Sequence, residues 1–239
     1  FVDALRGMMN KEAIGKEERT NRDMNMGLVL GMLAVLIILI AVLPVIPIGV
    51  LGAIIIVIFG FFFAAVSSRM VGLVGSSNNP VSGMAIATLL ITSLILKATG
   101  NSGASGMVAA IAIGSVICII AAIAGDASQD LKTGYIVGAT PKKQQIGEIL
   151  GAVVAAFAIG GVMYLLHAAW GFGSEAIPAP QASLMKMVVE GVMGGTLPWT
   201  LVLIGVFAAV IVEILGIPVM AFAVGLYLPI YLSTPIFIG

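Results

Sequence analysis

The feature that most constrains this chain is a run of 45 residues, from 24 to 68, without a single Asp, Glu, Lys or Arg. Further uncharged runs follow at 70–96, 98–125, 149–174, 191–212 and 214–239. A helix needs about 20 apolar residues to cross the ~30 Å hydrocarbon core of a bilayer, because it rises ~1.5 Å per residue. The first run is therefore long enough for two crossings, and Pro44 and Pro47 mark a turn between them.

The composition excludes several classes of protein. Only 9% of the residues are charged, 60% are apolar and the formal net charge is zero, which rules out a soluble domain, a disordered segment and a nucleic-acid binder. The single Cys118 cannot form an intrachain disulfide, and the single His167 excludes most histidine-based metal sites. No phosphate-binding loop, zinc-protease motif or paired nucleophile and base is present, so we expect no enzyme, no cofactor and no metal site.

These runs predict an all-α fold, a polytopic membrane helical bundle, because lipid offers no water to unpaired backbone groups. The predicted spans number about seven: Met26–Leu43, Ile48–Val66, Met84–Leu96, Met107–Ala124, Ile146–Leu166, Leu197–Leu215 and Val219–Tyr231. The chain then divides into a polar connecting segment, 1–25, and a transmembrane domain, 26–239. Because the chain opens on Phe1 and closes without a polar tail, we expect an interior piece of a longer protein.

Three regions are too apolar for loops but too rich in Gly, Pro and Ser for simple spans. They are 67–83, 177–195 and 215–218 with the apolar run after it, which contains Pro229 and Pro235 and in which 219–228 is only a half-span. We expect broken or re-entrant half-helices there, with 67–83 and 177–195 forming part of a site near the bilayer midplane, because such breaks usually line a cavity. Packing alone is the alternative for each break. The candidate substrate contacts in these regions are Asn78, Asn79, Gln181 and Lys186.

Four carboxylates are candidates for proton coupling or cation binding: Glu213, Glu190, Asp126 and Asp130. A charged side chain at the bilayer centre costs ~2.5–3.5 kcal/mol on insertion scales, so such a group faces the bundle interior, pairs with a base or holds a proton. Lys186 and Glu190 are spaced to pair on one helix, and Asp126 and Asp130 share a helix face. Each candidate has a simpler alternative. Glu213 would be a residue at the membrane edge, Glu190 would form a plain salt bridge with Lys186, and Asp126 and Asp130 would belong to a polar loop.

Positive charge is unequally distributed between the two ends of the predicted spans. Nine of the 11 Lys and Arg residues lie in 1–25, at Arg69 or in the predicted loop 125–145. These segments fall on one side of the membrane if 67–83 does not cross it. The positive-inside rule then places 1–25 and 125–145 in the cytosol, with 125–145 as a gate or rim. We expect the membrane to be the plasma (inner) membrane.

Two motifs are similar to those of one transporter family. The segments S-S-N-N-P-V-S-G (76–83) and Q-D-L-K-T-G-Y (129–135) resemble the oligopeptide transporter (OPT) family, and the second is particularly similar to its yellow-stripe-like branch and prokaryotic relatives. The stretch 179–191, then Leu197-Pro198 and Ile217-Pro218, resembles that branch in order and spacing.

The resemblance implies a secondary active transporter, a proton-coupled symporter of a small peptide or a metal-chelate type solute that works by alternating access. The chain would be the C-terminal part of a longer protein of about sixteen spans with internal repeats. The peptide branch moves small peptides and the yellow-stripe-like branch moves metal chelates; the peptide-branch signatures N-P-G and K-I-P-P-R are absent. The expected partners are the lipid bilayer, the solute, protons and the rest of the longer chain. A channel or pore is the alternative, since broken helices also build filters.

Overall fold

The computed structural model describes residues 18–43, 48–76, 79–177 and 179–219, together with the single positions 222, 223, 226, 230, 234 and 238. After a short 3-10 turn, seven helices are described in these residues: α1 (Met26–Val42), α2 (Gly49–Val74), α3 (Val81–Ala98), α4 (Ala104–Ile136), α5 (Pro141–Trp170), α6 (Pro180–Gly194) and α7 (Trp199–Ile214). The chain divides into two compact units, Phe1–Met193 and Gly194–Gly239, so that α1 to α5 belong to the first and α7 to the second.

The helices confirm an all-α membrane bundle. Five of them, α1 to α5, are long and apolar enough to cross a bilayer, whereas α6 and α7 pass the same test only as a pair, as one broken span or a re-entrant loop. The last predicted span, Val219–Tyr231, lies largely outside the described residues, so the count of about seven stays a prediction. Helices α1 and α5 bury no residue, as suits helices whose surroundings are lipid or other apolar helices.

The core of the first unit lies where α2, α3 and α4 approach closely at small residues. In α2, Gly52 lies against Ile113 of α4, and Gly60 lies against Ile120 further along both helices, so these two helices run parallel. Helix α3 runs antiparallel to α4 and places Leu89 against Gly114. The leucine and isoleucine side chains thereby occupy the space that the glycines, which have no side chain, leave open. Membrane helices commonly gain contact area in this way.

Helix α6 is held to this core by one apolar face and one lysine. Val189, Val192 and Met193 are buried, and Val189 and Met193 belong to the same core cluster as residues of α2, α3 and α4. At the end of α3, Lys97 Nζ donates to Val192 O at 2.8 Å. A lysine is favourable at this position, because the carbonyl end of a helix carries partial negative charge.

The segment before α1 is bonded to the turn between α4 and α5. Arg19 Nη2 donates to Gly138 O at 2.7 Å, and the backbone N–H of Lys142 donates to Arg22 O at 2.9 Å. One turn further, Gln145 Oε1 accepts from Met24 N at 2.9 Å. Residues 19–24 and 138–145 therefore lie at the same end of the first unit, as their grouping by charge had predicted.

Two segments, one predicted to be a broken half-helix and one a loop, are more helical than the sequence predicted. In 67–83, α2 continues through Val74, because Ser67 and Ser68 donate their hydroxyls to α4 carbonyls, of Ala121 and Ala124, instead of competing for their own backbone. The break is confined to 75–80. The predicted loop 125–145 belongs mostly to α4 and α5, and only 137–140 joins them. Helix α4 ends there in a Schellman motif, with the positive φ of 74° at Gly138.

The α3–α4 turn supplies a test of this packing. A Cβ built on Gly106 would lie 1.8 Å from the backbone carbonyl oxygen of Asn101, which cannot rotate away as a side chain could. We expect Gly106→Ala to lower the free energy of unfolding by about 1–3 kcal/mol. Thermal unfolding of the purified protein in detergent measures the change.

The matched control is Gly160→Ala in α5, where nothing lies within 4 Å of the built Cβ. This variant should be neutral or up to ~1 kcal/mol more stable, because alanine favours a helix more than glycine does. Equal losses in the two variants would contradict the close approach at Gly106.

Candidate solute site

A chain of buried polar groups connects the α2–α3 break to the middle of α4. Asn79, two residues before α3, donates from Nδ2 to Ser67 Oγ at 2.7 Å, and Ser67 Oγ in turn donates to Ala121 O. The Ser67 side chain is fully buried. We call Ser67, Asn79 and Gly125 the break cluster, since Gly125 forms its α4 wall.

The Asn79 amide oxygen is the unusual atom of the break cluster. Oδ1 is buried and accepts no hydrogen bond within the described part of the chain. A buried amide acceptor without a donor costs about 1–3 kcal/mol, so groups of this kind call for a physical explanation such as a ligand or an ordered water.

Gly125 allows the amide to occupy this position. A Cβ on Gly125 would lie 2.7 Å from Asn79 Nδ2, 2.8 Å from Val71 Cγ2 and 3.0 Å from Ser67 Oγ. Any larger residue would therefore push the asparagine away from its serine partner. The glycine is needed here for close approach, not for backbone conformation, because α4 is regular at this point.

The break cluster lies near one end of the apolar stretch. Ser67 follows Gly49 by eighteen residues of helix, about 27 Å at ~1.5 Å per residue, and Gly125 directly precedes the first acidic residue of α4. This is also the end where residues 19–24 meet the α4–α5 turn. The 67–83 part of the predicted site therefore lies towards the helix ends beside Asp126, and its depth in the membrane stays a prediction.

Helix α3 carries a second set of buried hydroxyls. Thr88, Thr92 and Ser93 are all fully buried. Thr88 Oγ1 donates a hydrogen bond to Met84 O, one turn earlier in the same helix, at 2.8 Å. Thr92 Oγ1 and Ser93 Oγ have no hydrogen-bond partner among the residues described. The interior of the three-helix core is therefore not uniformly apolar, and its polar atoms follow the inner face of α3.

The predicted substrate contacts do not converge in the described residues. Asn78 lies outside the described residues, so only Asn79 of the asparagine pair can be placed. Gln181 and Lys186 are exposed on α6. Lys186 Nζ lies 3.7 Å from Glu190 Oε1, which confirms the predicted i,i+4 pair as an exposed salt bridge.

The remaining predicted carboxylates are exposed. Asp126 and Asp130 lie one turn apart on α4, immediately beyond Gly125 of the break cluster, and Glu213 lies in the last turn of α7 in the second unit. Within the first unit, no described hydrogen bond or ion pair joins Asn79 to either aspartate. Asp126 and Asp130 therefore follow the break cluster along α4 without being part of it.

Sequence analysis missed Glu148. Its Oε1 is buried without a partner in the described residues, and its carboxyl lies close enough to Asp130 to interact with it electrostatically. The signal was its position as the last charged residue before the uncharged run 149–174. That position does not predict that α4 would bring Asp130 close to Glu148 on α5.

No group of three His, Cys, Asp or Glu side chains in the described segments is arranged to hold a metal ion. The polar atoms at the α2–α3 break are instead amides, hydroxyls and backbone carbonyls. These groups can exchange hydrogen bonds with a polar solute.

Comparison with known proteins places this architecture in a family. The family model described as "OPT oligopeptide transporter protein" matches residues 3–239. The chain belongs to the OPT family. It is a multi-pass membrane protein.

Individual OPT relatives are named for two kinds of cargo. The chain is 37% identical over 216 residues to a Haemophilus influenzae protein named "Putative oligopeptide transporter", an alignment that covers 77% of this chain and 34% of the relative. It is 28% identical over 151 residues to the rice "Probable metal-nicotianamine transporter YSL10", covering 59% of this chain and 22% of that protein. All of these names describe transporters, not enzymes. No solved structure matches the chain.

The chain is much shorter than the relatives it matches. The chain spans about a third of the length of the Haemophilus influenzae protein. An Arabidopsis thaliana "Probable metal-nicotianamine transporter YSL5" is 32% identical over 104 residues, which are 41% of this chain and 15% of that protein. The matches therefore compare this chain with only a part of each relative.

The pairing of Ser67 with Asn79 can be measured by a double-mutant cycle. Removing either side chain leaves a buried partner unsatisfied, so we expect Ser67→Ala and Asn79→Ala each to destabilise the protein by about 1–3 kcal/mol. The double variant should lose about 1 kcal/mol less than the sum, since the second change removes an already broken bond. Thermal unfolding in detergent gives the three values.

Ser115→Ala is the control for this cycle. Ser115 is exposed in α4, and its Oγ donates only to Ile111 O of its own helix. We expect a change below about 0.5 kcal/mol and additivity with Asn79→Ala. A cycle for Ser67 and Asn79 that is additive within error would show that the two side chains do not interact.

Proposed function

We propose that this OPT segment contributes to a secondary active transporter, a proton-coupled symporter that moves a small peptide or a metal-chelate type solute by alternating access. Family membership supports transport, and the names of the relatives support these two solute classes. The remainder of a longer chain completes the pathway in this proposal, and the bilayer is that of the plasma (inner) membrane, with residues 1–25 and 125–145 on the cytosolic side.

The unpaired amide oxygen of Asn79 is the observation that carries this proposal. It is a buried acceptor at a break between two membrane-length helices, beside a wall made by Gly125. Peptides and amino-carboxylate chelators both present N–H donors, and one such donor would satisfy Oδ1 when the solute arrives. Broken helices in transporters commonly present polar groups to a solute in this way.

Asn78, Gln181 and Lys186 are the further solute contacts that we propose. The amides would bind peptide-like groups, and the ammonium of Lys186 would bind a solute carboxylate in exchange for Glu190. This exchange is energetically easy, because an exposed lysine–carboxylate pair contributes only ~0.2–1 kcal/mol.

We propose that proton coupling uses the carboxylates Asp126, Asp130, Glu190 and Glu213. Asp126 and Asp130 are the best placed of these in the first unit, since they follow the break cluster along α4 at the end that also holds the N-terminal segment. Protonation of a carboxylate there would remove a charge from the mouth of the pathway when the solute passes.

Uptake by the full-length protein in reconstituted vesicles tests the solute site. We expect saturable accumulation of di- and tripeptides or of metal chelates, driven by an inward proton gradient and abolished by a protonophore. Asn79→Ala should raise KM about two- to tenfold, as expected for the loss of one hydrogen bond to the solute.

Asn101→Ala is the matched control, because Asn101 lies in the α3–α4 turn at the other end of these helices, with an exposed side chain. It should transport with an unchanged KM. Passive flux that ignores the proton gradient would indicate a channel and overturn the carrier proposal.

Coupling is tested by neutralising the carboxylates one at a time, as Asp126→Asn, Asp130→Asn, Glu190→Gln and Glu213→Gln. A variant that removes the coupling residue should abolish uphill uptake and retain counterflow, because exchange of solute needs no net proton movement. Both rates are measured with the same vesicles and the same labelled solute.

Glu175→Gln serves as the control, since Glu175 is an exposed residue of the segment between α5 and α6. It should retain uphill uptake. If all four neutralised variants still accumulate solute, these carboxylates do not couple protons.

A further inference from the structure

A second polar site lies at the α4–α5 end of the first unit, apart from the break cluster. It is an open cleft of about 610 Å³ between the last turns of α4, the first turn of α5 and the segment before α1. Its polar lining consists of Arg19, Asp130, Thr133, Thr140, Lys143 and Gln144. We call it the end cleft.

The end cleft presents both signs of charge without pairing them. The ion pair seen in the described residues is Lys186–Glu190, so Asp130 forms no ion pair with Arg19 or Lys143 in the part of the chain described. Arg19 is held in place by its bond to Gly138 O, which uses only part of its guanidinium. On the acidic side, the Asp130 carboxylate is exposed and lies close enough to Glu148 to interact with it electrostatically.

The position of the end cleft along the helices matches the phospholipid headgroup layer. Asp130 follows the uncharged run that ends at Gly125 by five residues, about 7 Å along a helix, and Lys143 precedes the uncharged run that begins at Ile149 by six residues, about 9 Å. Each headgroup layer occupies roughly 5–8 Å outside the hydrocarbon core. The charged lining therefore lies at or just beyond the depth of lipid phosphates and amines.

Apolar surface continues from the end cleft towards the hydrocarbon core. Ile123 precedes Asp130 by seven residues on α4 and is 49% exposed. Leu150 follows Lys143 by seven residues on α5 and is 62% exposed. A molecule that is charged at one end and apolar at the other fits this arrangement.

We propose that the end cleft binds the headgroup of an aminophospholipid, phosphatidylethanolamine. Its phosphate would lie between Arg19 and Lys143, its primary ammonium would donate to Asp130, and its acyl chains would follow the exposed apolar surface of α4 and α5. A primary ammonium is selected over a choline group, because only the former can donate hydrogen bonds to a carboxylate. This inference does not depend on the solute that is transported.

Competitive lipid binding to the full-length protein tests the proposal. The protein in detergent is offered equimolar phosphatidylethanolamine, phosphatidylcholine and phosphatidylglycerol, and the bound lipids are counted by native mass spectrometry. We expect a preference of about fivefold for phosphatidylethanolamine over phosphatidylcholine, the effect of one charge-assisted hydrogen bond.

Two variants separate the ammonium of the headgroup from its phosphate. Asp130→Asn should reduce the preference for phosphatidylethanolamine over phosphatidylcholine to about one and improve binding of phosphatidylglycerol. Arg19→Gln combined with Lys143→Gln should weaken all three lipids alike. As controls, Asp126→Asn and Lys142→Gln change the same charges on the same helices but do not line the cleft, so both should keep the wild-type preference.

The proposal is overturned if wild-type protein binds phosphatidylcholine as well as phosphatidylethanolamine, or if folded Asp130→Asn keeps the preference. It is also overturned if soluble phosphoethanolamine, without acyl chains, raises the melting temperature as much as the lipid does, since the site would then bind a free phosphate ester. Should Asp130→Asn not fold, stepwise N-methylation of the lipid repeats the test on wild-type protein. Binding should fall with each methyl group, and a flat series would reject the ammonium contact.

Discussion

The close approach of α2, α3 and α4 at small residues is the constraint on which the rest of the first unit depends. In a bilayer, burial of apolar surface does not choose between a neighbouring helix and lipid, because both are apolar. Contact area does choose, and it is created where Gly52, Gly60 and Gly114 admit side chains of the facing helix. Helices without such contacts, α1 and α5, bury no residue.

The polar chemistry of the break cluster follows from that approach. Ser67 can reach Ala121 O only because α2 and α4 lie this close, and Gly125 leaves room for the Asn79 amide beside it. The same bonds keep α2 helical through 67–74 and move the break to the end of the span. Packing thereby decides which polar atoms are satisfied and leaves Asn79 Oδ1 without a donor in the described residues.

Prediction from the sequence succeeded where the signal was local. Five membrane-length helices, the Lys186–Glu190 pair and the ends of α6 and α7 near 195 and 215 follow from runs of apolar residues, i,i+4 spacing and Gly-Pro punctuation. It failed where a neighbour supplied the deciding bond. Ser67 and Ser68 indicated a broken helix, but their hydroxyls donate hydrogen bonds to α4 carbonyls and α2 continues past them. Sequence analysis had no reason to single out Glu148, whose electrostatic interaction with Asp130 depends on the packing of α5 against α4.

The sequence by itself determined that this is an α-helical membrane protein of the OPT family, because the preference for lipid is a property of each segment's own composition and the family motifs are short and contiguous. Tertiary structure alone decided where the polar sites are. Ser67 and Ala121 lie 54 positions apart, and Arg19 and Gly138 lie 119 apart, so their bonds depend on helix register and crossing. No local pattern encodes the distance between two atoms brought together in that way.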